Sequence, residues 1–221
     1  MTMNITLGEQ VLLLCLDDSG TVRQQPTAEY MIAAGALLEL AMADRVHLDG
    51  ARLVTTDTTA VGSASLDPVL ARLAEPAKKT GDAQEWIFAL HKEAFAAARQ
   101  DLLGKGLVRE ERGRTLGIIK TTRYPETDGR ARAEVRHALD ETVVQGAEPD
   151  ERTAALITLI HHGDLHGIAF PDADSAAVKR RCAEVAEAHW ARPALRALVD
   201  AVAASVAYFM SLVAVNAAVN S

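Results

Sequence analysis

Aromatic side chains are scarce in this chain: Phe, Trp and Tyr make up 4% of 221 residues, against 49% hydrophobic residues in all. The core must therefore be built from Ala, Leu, Val and Ile. Ala and Leu favour helix, and the aromatic shortage disfavours a large sheet. Cysteine is as sparse. Cys15 and Cys182 both fall in apolar helical patterns and read as small buried hydrophobes of a reducing compartment. GxSxG, HExxH and CxxC are missing, and with them the hydrolase and zinc signatures. Gly104-Lys105-Gly106 is too short for a phosphate loop and follows a helix instead of a strand, so it reads as a helix C-cap. A secretory signal is lacking too: Met1 to Asn4 is not basic, and Asp17-Asp18 interrupts the first apolar run.

Nor does an acid, base and nucleophile set stand out, which leaves an enzyme as the weakest reading and catalytic residues and cofactors unassigned. His161, His162 and His166, with Asp164 beside them, come nearest to a metal set. Gly163 and Gly167 interrupt the helix that would align them. The group reads as a polar helix end whose imidazoles cap carbonyls, with no metal.

What is present is an uneven charge. The net charge is −7, which argues against a general nucleic-acid binder. Arg109 to Arg136 nevertheless holds eight basic and five acidic residues, a net of +3 that leaves −10 on the rest. A basic face on an acidic body suits an anionic surface better than wrapping by a polyanion.

Two stretches share one layout. Leu37 to Ala43 is an apolar helix, Asp44-Arg45 a break, and Val46-His47-Leu48 and Arg52 to Thr55 flank a turn at Asp49-Gly50. Likewise Arg99 to Leu103 is helical and Gly104-Lys105-Gly106 a break, with Leu107-Val108 and Thr115 to Ile119 flanking a turn near Gly113. Each reads as a helix followed by a two-stranded wing, a shape suited to docking.

Around these units the pattern is helical. Thr6 and Glu9 have capping-box spacing, and the apolar run Val11 to Leu16 predicts a buried helix. Pro26 opens a helix bearing Tyr30, Ala33, Ala34, Leu37, Leu38 and Ala41 at three- and four-residue steps. Asp67-Pro68 starts a short helix to Leu73, and Pro76 to Gly81 breaks the chain. Asp82, Asp150 and Asp174 cap further helices, the last of them to Trp190, and Pro193 opens the final one. Ala201 to Val219 carries no charge over 19 positions. Its many Ala residues, its polar Ser205, Ser211 and Asn216, and its lack of flanking Lys or Arg favour a core helix. An interfacial or oligomer-forming helix and a membrane span stay open. The fold class is thus mainly α: a helical-bundle core surrounded by amphipathic helices, with winged-helix-like short β-hairpins, in one domain over residues 1–221.

Binding a lipid head group needs Arg or Lys converging on a phosphate beside an apolar or aromatic group. Candidates are Arg23 in the early loop and Lys92 and Arg99, which share a face of the long helix. Arg112, Arg114 and Arg123 of the second wing are candidates for membrane or partner contact.

The order of segments resembles the Golgi phosphoprotein 3 family over nearly the whole length. The likeness rests on Leu7 to Leu14, on Leu37-Leu38-Glu39-Leu40-Ala41 with Arg45-Val46-His47-Leu48, and on Trp86-Ile87. It continues in Leu102 to Leu107, Thr121-Thr122-Arg123-Tyr124-Pro125 and Ala155 to His161. The resemblance implies a mostly helical single domain with a central bundle and a protruding hairpin. It also implies a non-enzymatic, cytoplasmic, peripheral membrane protein, since eukaryotic members bind phosphatidylinositol 4-phosphate and recruit Golgi glycosyltransferases. Their lipid pocket uses a Trp and an Arg around the second helix and two Arg before the Gly-Lys-Gly-like break. Here those positions fall near Gln24 or Gln25, near Ala33, and at Lys92 and Phe95, with Arg99 one turn beyond. The Arg and Ala bias suggests a bacterial relative.

The leading expectation is a lipid-binding adaptor with an anionic membrane lipid as partner, phosphatidylinositol 4-phosphate or another. The alternatives are a winged-helix DNA binder and a scaffold that binds a protein or self-associates through the hairpin or the last helix. Nucleic acid is the less favoured partner, because Ala36 to Ala43 offers only Glu39 as a polar side chain.

Overall fold

The computed structural model describes residues 4–75, 81–115, 119–187 and 192–219, with backbone alone at 114–115, 119–120, 194, 210 and 212–219. The chain begins with a helix that becomes its axis. Thr6 accepts from the Glu9 amide at 3.3 Å and Glu9 accepts from the Thr6 amide at 2.7 Å, closing the capping box that starts α1 (Leu7–Cys15). All of α1 but Gln10 is buried, as an all-round apolar helix must be.

α2 (Gln25–Met42) follows, with Pro26 in its first turn. It packs tightly on α1: a Cβ on Gly35 would lie 3.1 Å from the Gly8 amide nitrogen, so a larger residue there would push the helices apart. Next come β1 (Val46–Asp49) and β2 (Arg52–Thr55), paired antiparallel with Asp49 opposite Arg52. The first wing thus has the predicted strands, with the turn one residue later, at Gly50-Ala51. α3 (Asp67–Leu73) and α4 (Ala83–Gly104) follow, the latter capped by Asp82, whose carboxylate accepts from the Glu85 amide at 2.8 Å. The Pro76 to Gly81 break lies outside the described residues except for Gly81. α4 ends as the sequence suggested, with Gly106 in the left-handed region at φ +68°.

The second wing corrects the sequence reading. Its strands are β3 (Glu111–Thr115) and β4 (Ile119–Arg123), and Gly113 lies within β3 opposite Thr121. The last described pair of the ladder is Thr115 opposite Ile119. The reason is packing: Val108 is 3% exposed and pairs with Glu126 instead, so the ribbon starts only after the chain leaves the core.

α5 (Arg130–Val143), α6 (Glu151–His162), the short α7 (His166–Ala169), α8 (Ser175–Glu187) and α9 (Pro193–Val219) complete the chain. Asp150 and Asp174 cap α6 and α8 through amides at 2.7 and 2.8 Å. The predicted end of α8 at Trp190 lies outside the described residues. α1 is surrounded by α2, α4, α5 and α6, the central-bundle arrangement. The fold is mainly α, with only two small two-stranded sheets among the described residues.

α9 lies across α2, α4 and α6 through Leu195, Leu198, Val199, Val202 and Val206, all buried. Ser205 returns its hydroxyl to the Ala201 carbonyl at 2.7 Å, which satisfies it inside the helix. Among the described residues no helix is long and apolar enough to cross a membrane. Cys15 and Cys182 are free and buried, and burial pushes both thiols up to about 12.

Candidate functional site

The loop after α1 touches the chain leaving the second hairpin, and three of the candidate cations, Arg23, Arg99 and Arg123, are each tied to a different part of that junction. Asp17 closes that loop, accepting from the amides of Ser19 and Thr21 at 2.8 and 2.9 Å and from the Ser19 hydroxyl at 2.7 Å. Gly20 follows at φ +77°, and a Cβ there would lie 2.0 Å from the Pro125 nitrogen. Only glycine permits both the conformation and the approach. The Gly20 carbonyl accepts from the Tyr124 amide at 2.8 Å, and the Tyr124 ring in turn carries the Arg99 guanidinium 4.8 Å from its centroid. Arg99 also lies 5.6 Å from the Phe95 ring, so its planar cation is held between two aromatic faces.

Arg123 precedes Tyr124 and is close enough to Asp17 to act on its carboxyl. That carboxyl is held below the usual range chiefly by the Ser19 hydroxyl, with Arg123 a smaller contributor. Arg23 leaves the same loop, exposed, its amide tied to the Cys15 carbonyl at 2.8 Å. Arg99 thus lies on Tyr124, Arg123 acts on Asp17, and Arg23 follows in the loop that the Gly20 to Tyr124 contact holds.

Lys92 does not join them. It is exposed on α4 two turns before Arg99, roughly 10 Å away along the axis. The residue before it in the chain, His91, stacks on Tyr30 at 4.6 Å, and Tyr30 meets Phe88 at 5.1 Å and Phe209 at 3.7 Å. The shared face of positions 92 and 99 is real, but the helix is long enough to separate the two charges.

On the hairpin, Arg112 is 84% exposed and pairs with Glu110 at 2.5 Å, while Arg109 pairs with Glu111 at 2.9 Å. Arg123 stands opposite Glu111 in the ladder, and Arg114 opposite Lys120. The side chain of Arg114 lies outside the described residues. These exposed pairs are weak and leave their cations available to other anions.

Sequence reasoning missed a charge cluster built on the fully buried Glu9. Lys105 Nζ donates to both oxygens of Glu9 at 2.8 and 2.7 Å and lies 3.3 Å from Asp101, which accepts from the Ser65 amide at 3.0 Å. Glu9 is completely buried, and burial pushes its carboxyl up to about 7 against the hydrogen bond from Lys105. Burial works against the ionisation of Asp101 too, but the Glu9 side chain and Lys105 outweigh it and hold that carboxyl low. The cluster joins α1 to the end of α4. Tyr124 was also missed as a site residue, although it lies in a segment that carries the family resemblance.

The histidines behave differently from the sequence reading. His161 Nδ1 lies 3.3 Å from His166 Nε2, and His166 Nδ1 lies 3.2 Å from Asp164, so the imidazoles bond one another and a carboxylate, not helix carbonyls. The helix breaks at Asp164, which takes the left-handed conformation at φ +48°. Burial lowers the basicity of both His161 and His162, and the neighbouring imidazole adds to it. Among the described residues no group of three or more His, Cys, Asp or Glu is arranged to hold a metal ion.

A comparison with curated proteins finds no match. The sequence pattern of Golgi phosphoprotein 3 (GPP34) matches residues 7–202. That span runs from the first residue of α1 into α9 and takes in both hairpins and the Gly20 to Tyr124 junction, so the chain belongs to the Golgi phosphoprotein 3 (GPP34) family.

Proposed function

We propose that this protein is a non-enzymatic adaptor that docks peripherally on an anionic membrane, from the cytoplasmic side, through Arg23, Arg99, Arg123 and the second hairpin. The observation that carries the reading is Arg99, whose guanidinium lies over the Phe95 and Tyr124 rings, with Arg123 beside Tyr124 in sequence and Arg23 in the loop that Tyr124 touches. A guanidinium held in place loses little freedom on meeting a phosphate. The exposed Arg109, Arg112 and Arg130 extend the cationic area.

With Lys92 two turns away, the arrangement favours an anionic lipid surface over one tight phosphoinositide pocket. Phosphatidylinositol 4-phosphate, the ligand the family likeness suggests, is then one of several head groups the patch accepts. The DNA reading fares worse. Glu39 accepts from the Leu7 amide at 2.8 Å and pairs with Arg152, so the helix before the first hairpin offers no free base-reading group.

Co-sedimentation with vesicles tests this. Binding should require anionic lipid and should weaken as salt rises, because exposed charge attraction is screened over about 10 Å at 0.1 M. Equal binding to neutral phosphatidylcholine vesicles would refute it.

A further inference from the structure

Four of the nine aromatic residues in this aromatic-poor chain, Tyr30, Phe88, Tyr208 and Phe209, gather at one edge, where α9 lies against α2 and α4. Phe209 turns inward onto the Tyr30 ring, whereas Tyr208 turns outward and is 50% exposed. Among the described residues, only Val144 is a comparably exposed large hydrophobic side chain. The half-buried Phe88 meets the Tyr208 ring edge-on at 6.5 Å. α9 carries no charged residue after Asp200, and both Ala207 and Ala204, one turn before Tyr208, are exposed. Lys92 lies one turn after Phe88 on α4, exposed, and its ammonium has no partner among the described residues. Two nearby carboxylates are already engaged: Glu29 accepts from Gln25 at 2.8 Å and lies 3.9 Å from His91, and Glu93 lies 3.7 Å from Arg72. Glu85 is one turn before Phe88, with the ring between it and Lys92 along the helix.

We propose that this aromatic edge of α4 and α9 enters the interfacial layer of an anionic bilayer, with Tyr208 and Phe88 below the head groups and Lys92 at the level of the phosphates. A tyrosine has an apolar body and a polar tip, which suits a layer that is apolar on one side and wet on the other. The stem of Lys92 lies along apolar surface while its unpaired charge meets the lipid phosphate. An uncharged face on a helix that cannot span the membrane belongs at the surface of the bilayer. A protein partner fits less well. Even a whole ring offers only ~150–250 Å², and two partly covered rings with two alanines fall short of the ~800 Å² a side that a stable protein contact buries. A bilayer sets no such threshold, because rings enter it one at a time. α4 also carries Arg99, two turns beyond Lys92, so this edge continues the cationic area along one helix. The proposal deepens the membrane reading and rests on it.

Cys15 and Cys182 are buried, so Ala204→Cys in the full chain gives one exposed thiol for an environment-sensitive fluorophore, and Val144→Cys gives a control on α5. On vesicles of phosphatidylcholine with phosphatidylglycerol, the label at 204 should shift to the blue and be quenched by lipids carrying a nitroxide just below the head group. The label at 144 should do neither. Tyr208→Ser should weaken vesicle binding about fivefold, the worth of removing about 40 Å² of apolar ring from water. That deficit should persist at high salt, because an apolar contact is not screened. Protein that binds these vesicles while the label at 204 stays aqueous would overturn the proposal and leave the membrane reading standing. Protein that binds no anionic vesicle would overturn the membrane reading, and this proposal with it. A fall in oligomeric state on Tyr208→Ser, with vesicle binding unchanged, would assign the edge to a second copy of the chain and overturn the proposal too.

Discussion

Lys105 holds two carboxylates in the interior, 96 residues from one of them along the chain, whereas Arg112 holds one in open water two residues away. The first arrangement joins α1 to α4 and has no freedom to meet a ligand. The second joins nothing, and its guanidinium turns from Glu110 to another anion at almost no cost. Burial decides which role a charge has: the interior pair is expensive to break because an uncompensated charge would stay buried, while the surface pair is screened and replaceable. A protein that docks on a charged surface, as proposed, needs both, a rigid frame and loose cations mounted on it.

Lys105→Met is the most damaging way to break that contrast. Asp101 would remain ionised beneath Ser65 with its cation gone, and unfolding in urea should show a loss of roughly 2–4 kcal/mol. A loss below ~0.5 kcal/mol would mean that the interior cluster is as dispensable as the hairpin pairs.

Glu9→Gln sharpens the contrast through pH. The folded state raises the Glu9 carboxyl from its ordinary 4.5 to about 7. The fold therefore keeps a proton that the unfolded chain gives up sooner. This contribution is fully present below 4.5 and is lost as pH rises through about 7. His161 and His162 pull the other way. Burial lowers them from 6.5, so their contribution is present above 6.5 and is lost as pH falls through their depressed values. Subtracting the variant's urea-derived stability from that of the parent between pH 4.5 and 8 isolates the Glu9 slope. The difference should decline with pH, and a flat difference would contradict the buried, proton-holding Glu9.

The sequence made the local parts of this legible and not the distant ones. Thr6 and Glu9 announce the capping box because both partners lie within one turn, and Asp82, Asp150 and Asp174 announce helix starts in the same way. The first hairpin has its predicted strands because Asp49-Gly50 is a local turn signal. The second hairpin escaped because Val108 is taken into the core by contacts that no short window contains. Lys105 looked like part of a helix ending, which it is, and its bond to Glu9 across 96 residues left no trace in spacing. Arg99 was nominated from its helix face, while its Tyr124 platform depends on Gly20, three segments away.

Arg99→Ala tests whether a clamped surface cation acts like the interior one or the loose ones. The guanidinium stacks but makes no buried ion pair, so stability should fall by no more than about 1 kcal/mol, the worth of an exposed cation–π contact. Binding to anionic vesicles should weaken roughly fivefold, the effect of about 1 kcal/mol per Arg near a charged bilayer. If Tyr124→Leu reproduces that weakening, the clamp matters as well as the charge.

Arg112→Gln should have the smallest effect on folding, and that is its value. The side chain is 84% exposed and its only ion pair among the described residues is with Glu110, two residues along the chain. Losing it should change urea-derived stability by less than ~0.5 kcal/mol. The same change removes one unit of positive charge from the hairpin, and it frees Glu110 to repel an anionic surface. Vesicle affinity should therefore fall several-fold at low salt, and the difference should close as salt rises past the point where the Debye length drops below about 5 Å. An interior charge cannot behave this way, since salt does not reach Glu9. A variant with altered stability but unaltered, salt-insensitive vesicle binding would place Arg112 with the frame, and the division between fixed and available charge would then fall at a different boundary from the one burial predicts.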